Sequence, residues 1–99
     1  MSRNLHPTEG ARFLLERKSQ ETDGGRATYK VSIYTPDAVF STTAALAEDG
    51  TAALAAPTSA PGELDDRLTN IAKLVARDAP RRREDGLVVW PARIMRWRK

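Results

Sequence analysis

Ser59-Ala-Pro-Gly-Glu-Leu-Asp-Asp-Arg-Leu-Thr-Asn-Ile-Ala-Lys-Leu-Val-Ala-Arg-Asp-Ala79 carries the sustained helical period of this chain. Leu64, Leu68, Ile71, Ala72, Val75 and Ala79 recur at three-and-four spacing, and Leu74 widens the stripe on one side. At ~100° per residue these positions fall within roughly 160° of arc, opposite Asp66, Thr69, Asn70, Lys73 and Arg77. The stretch reads as a helix over 59–79 with one buried face and one wet face. Ser59 is the expected N-cap, Pro61 belongs in the first turn, and Pro80 disfavours helix at Ala79 and should end it.

The segments around this helix alternate with period two. Residues 11–18 place Phe13 and Leu15 against Leu14 and Glu16. A polar loop ending in Gly24 and Gly25 leads to 26–35, where Ala27, Tyr29, Val31 and Ile33 oppose Thr28, Lys30, Ser32 and Tyr34. After the turn at Pro36 and Asp37 comes 38–47, with Phe40, Thr42, Ala44 and Leu46 on one side. Glu48-Asp-Gly50 then turns into a short strand at 51–56, which completes a four-strand meander. Beyond the helix, Arg81-Arg-Arg-Glu-Asp-Gly86 reads as a turn into a last strand at 87–97, which Pro91 confines to a sheet edge or a bulge.

The expectation is an α+β domain of order ββββαβ: one antiparallel sheet, with the helix packed on one face. Laid beside strand 1, the last strand gives the order 4-3-2-1-5; parallel pairing with strand 4 is the alternative. Residues 1–10 read as a flexible leader and 11–99 as the single domain, since 99 residues make one core.

Composition narrows the chemistry. The chain contains no cysteine, so disulfides, Cys-based zinc sites, iron–sulfur ligation and thiol catalysis are excluded. His6 is the single histidine and has no neighbouring base to form a triad. The acidic pairs at 48–49 and 84–85 lie in turns, and Asp65 and Asp66 diverge on the helix. Acids at that helix start already answer its dipole and would repel a phosphate. The expectation is therefore a non-catalytic protein with no cofactor and no metal. No apolar run approaches the ~20 residues of a membrane span, and the first ten residues hold no signal-like apolar region, so a cytoplasmic, membrane-free protein is expected.

Charge is unevenly placed. The net value is +3, yet from Arg81 onward Arg81, Arg82, Arg83, Arg93, Arg96, Arg98 and Lys99 face only Glu84 and Asp85. Trp90, Met95 and Trp97 interleave with these arginines, and strand phase through Pro91 decides whether Met95 and Trp97 join Trp90 in the core or stand on the opposite face. Arg81, Arg82, Arg83, Arg93, Met95, Arg96, Trp97 and Arg98 form the candidate binding surface. The first functional expectation is binding of another protein, or a second copy, through the sheet edge and last strand. The second is nucleic-acid binding, in which tryptophan stacks on bases and arginine neutralises phosphates.

Overall fold

The computed structural model describes residues 6–98, so Lys99 and the first five residues of the leader lie outside the described residues. The meander forms where the alternation is clearest: β1 is Ala11–Gln20, β2 Arg26–Tyr34, β3 Val39–Ala47 and β4 Ala52–Leu54. The last strand, β5, is Arg93–Arg98 and lies antiparallel to β1. The sheet is five-stranded, with the order β4-β3-β2-β1-β5. Gly24 and Gly50 take positive φ (74° and 93°) in the two tight connections, the backbone freedom those turns require.

Helix α1 spans Gly62–Arg77 and leans over β2, β3 and β4. It buries Leu68, Ile71, Ala72, Val75 and Ala76. These pack against Phe13, Leu15, Tyr29, Val31, Ile33 and Leu46 on the covered face of the sheet. Alanine at 44, fully buried on β3, lets the helix close on the sheet. Leu74, expected to widen the buried stripe, instead turns outward and is 51% exposed.

Three local expectations are corrected. Ser59 is not the N-cap: it adopts φ 75°, and no side chain caps the helix start, where Pro61 occupies the N-cap position. The loop is held by Asp65 instead, which accepts from the Thr58 amide (3.2 Å) and hydroxyl. Pro80 does not end the helical run. It sits in the first turn of a short helix, α2 (Ala79–Glu84), where a missing N–H leaves no bond unmade. The break falls one residue earlier, at Asp78, so the rod is bent and residues 81–84 are helical rather than a turn.

The third correction concerns 87–92, which is irregular rather than strand. Pro91 offers no donor, and the carbonyls of Val89, Trp90 and Pro91 are taken by side chains of other elements. Arg82 Nε donates to Val89 O (2.6 Å), Arg17 Nη1 to Trp90 O (2.6 Å) and Tyr29 Oη to Pro91 O (2.7 Å). With its backbone held there, Trp90 is fully buried and its indole N–H donates to Gly24 O at 2.7 Å. Among the described residues, every buried side-chain nitrogen and oxygen has a partner.

Candidate functional site

The chain reaches its outer edge with a defined phase. Arg17 N donates to Ala92 O at 2.9 Å, which makes that pair a hydrogen-bonded one. Counting along the register, Leu15–Ile94, Phe13–Arg96 and Ala11–Arg98 are bonded pairs too. The N–H and C=O groups of Arg93, Met95 and Trp97 therefore point outward, where no described strand pairs with them. At the other edge β4 is three residues long and covers only Ala44–Leu46 of β3, so β5 is the longer of the two outermost strands.

The two faces of β5 differ. Arg96 lies opposite Phe13 and Ile94 opposite Leu15, so Ile94, Arg96 and Arg98 are on the helix side. Because α1 leans toward β2–β4, a groove of about 240 Å³ remains between the end of the helix and β5. Ile71, Leu74, Val75 and Asp78 form its helical wall, Arg82 and Pro91 one end, and Ile94, Arg96 and Arg98 the strand side. Arg93, Met95 and Trp97 lie on the open face of the sheet, away from the helix. There Trp97 shares a cross-strand row with Arg12, Tyr34 and Val39, and is 46% exposed. Its indole N–H donates to Glu9 O at 3.1 Å, while His6 meets the Tyr34 ring edge-on and bonds Thr35 O through Nδ1 at 2.7 Å. Pro7 is buried in the same region, and so is Leu14 on β1.

The edge arginines turn back on their own strand. Arg96 Nη1 donates to Met95 O at 2.9 Å and Arg98 Nη1 to Trp97 O at 3.0 Å. Both acceptors are outward carbonyls of β5, so two cations stand on the unpaired acceptors of the edge.

The arginines singled out in the sequence thus form no single surface. Arg81 is exposed on α2. Arg82 is half-buried: besides Val89 O it donates to Val75 O (2.8 Å), and its guanidinium lies 5.9 Å from the Trp90 ring centroid. Burial pulls its pKa below the ordinary arginine value, opposed by Tyr29 and Asp78, and the group stays charged. Arg83 forms an ion pair with Glu48 and donates to Gly24 O at 3.2 Å. Arg93, Met95, Arg96, Trp97 and Arg98 share β5 but project to opposite faces. Of the groove residues, Leu74 was expected in the buried stripe, and nothing in the sequence marked Asp78 or Ile94 as lining a site.

Among the described residues no group of His, Asp or Glu is arranged to hold a metal ion, and no helix is long and apolar enough to cross a membrane. Comparison of the chain with protein-family models, curated proteins and solved structures finds no match.

Proposed function

We propose that this protein is a non-catalytic binding module that takes an extended segment of another protein onto the outer edge of β5. The observation that supports the reading is the six-residue edge itself, with outward backbone groups at Arg93, Met95 and Trp97 and side chains available on both faces. The nucleic-acid alternative needs a continuous basic surface. It is weakened because Arg82 is engaged inside the fold, Arg83 is paired with Glu48 at the surface, and Arg93 faces away from Arg96 and Arg98.

The test is photo-crosslinking in cells from a benzophenone amino acid at position 93, with and without Met95→Pro. The N–H of Met95 points away from β1, so proline there removes an outward donor and leaves the inner ladder intact. A discrete protein adduct that Met95→Pro abolishes upholds the reading. An adduct unaffected by the proline, an adduct to nucleic acid, or none at all overturns it.

A further inference from the structure

Resting on that reading, we propose that β5 selects its occupant by charge: the edge accepts an extended acidic segment, whose carboxylates draw Arg96 and Arg98 off the carbonyls they now cover. The starting arrangement is the pair of bonds from Arg96 Nη1 to Met95 O (2.9 Å) and from Arg98 Nη1 to Trp97 O (3.0 Å). A neutral strand arriving at this edge must compete with two cations for its acceptors. A basic strand is repelled. A carboxylate offers each guanidinium a partner of opposite charge in a shorter, often bidentate bond, which outcompetes the single bond to a neutral carbonyl, so the acceptors are released to the incoming backbone.

The side chains point to the same chemistry. On the helix side, Arg96 and Arg98 flank a groove whose wall supplies a single carboxylate, Asp78, against these two arginines and Arg82. On the open side, Met95 and Trp97 offer apolar surface next to Arg93, which is opposite Glu16. A strand alternating acidic and apolar residues meets both faces, with carboxylates toward Arg96 and Arg98 and apolar groups over Met95 and Trp97. A second copy of the chain is a poor occupant, because β5 contains three arginines and no acid, so two such strands would bring like charges together.

The experiment titrates the isotopically labelled full chain, at low salt, with capped peptides in which valine alternates with glutamate, glutamine or lysine. Amide shifts at Arg93, Met95 and Trp97 locate the binding. The expected result is edge binding of the glutamate peptide about tenfold tighter than the glutamine peptide, since two exposed ion pairs at low salt together contribute a factor of that order. The double variant Arg96→Gln/Arg98→Gln should erase the difference, and added salt should shrink it. Equal edge binding of all three peptides overturns charge selection and leaves the edge reading standing. Shifts confined to other elements, or no binding of the glutamate peptide, overturn the inference; the crosslinking experiment then decides the edge reading separately.

Discussion

Arg82 and Tyr29 do the work of a missing strand. Tyr29 reaches Pro91 O from across the sequence and Arg82 reaches Val89 O from the preceding helix, and together with Arg17 they hold 87–92 where no ladder does. Arg82→Lys keeps the charge but replaces a planar fork with a point donor that cannot bridge Val75 O and Val89 O together. A loss of about 1–3 kcal/mol in urea unfolding is expected. Tyr29→Phe leaves Pro91 O without its donor and should cost about 1–2 kcal/mol by the same measurement. Tyr29 also sets a pH dependence: burial, opposed by Arg82 and Arg17, raises its pKa from 10.0 to about 12. Below pH 10 both the folded and unfolded chains keep the proton and the contribution is complete. Between pH 10 and about 12 the unfolded chain ionises first, so stability falls as pH rises. Tyr29→Phe should show a smaller fall across that window in pH-dependent unfolding curves.

At the scale of elements, α1 divides its surface sharply. Leu68 is fully buried and Ile71 is 5% exposed, whereas Leu74 is 51% exposed. Leu68→Ala and Ile71→Ala should each destabilise by roughly 2–5 kcal/mol, as truncations in a closed core do. Leu74→Ala should stay within about 0.5 kcal/mol, as expected for a surface position. Thermal or urea denaturation of the three variants checks the assignment of the helix face. The helical period was readable because it is a local property of side-chain spacing. The bend at Asp78 was not: Pro80 is compatible with stopping a helix or opening one, and the buried seat of Ala79 decides between them.

At the scale of the molecule, the sheet has one face covered by the helix, an opposite face on which residues 6–9 pack near Tyr34 and Trp97, and one long edge. Replacing Arg93, Arg96 and Arg98 together by Ala should leave the unfolding midpoint nearly unchanged, because all three side chains are exposed and none bonds another element in the fold's interior. Loss of folding in that variant would show that the arginines support the sheet rather than serve the edge.

The sequence by itself determined the antiparallel four-strand meander and the amphipathic helix that covers it. Hydrophobic period and turn chemistry are local, and each of those features follows from them. Only the tertiary structure decided that β5 lies beside β1 rather than β4, where β5 begins, which face Trp97 takes, that 81–84 is helical, and that Arg82 turns inward while Arg96 and Arg98 fold onto their own edge. Those outcomes depend on which carbonyls find donors from Arg17, Tyr29 and Arg82 across the fold, a matter of long-range geometry that residue spacing does not encode.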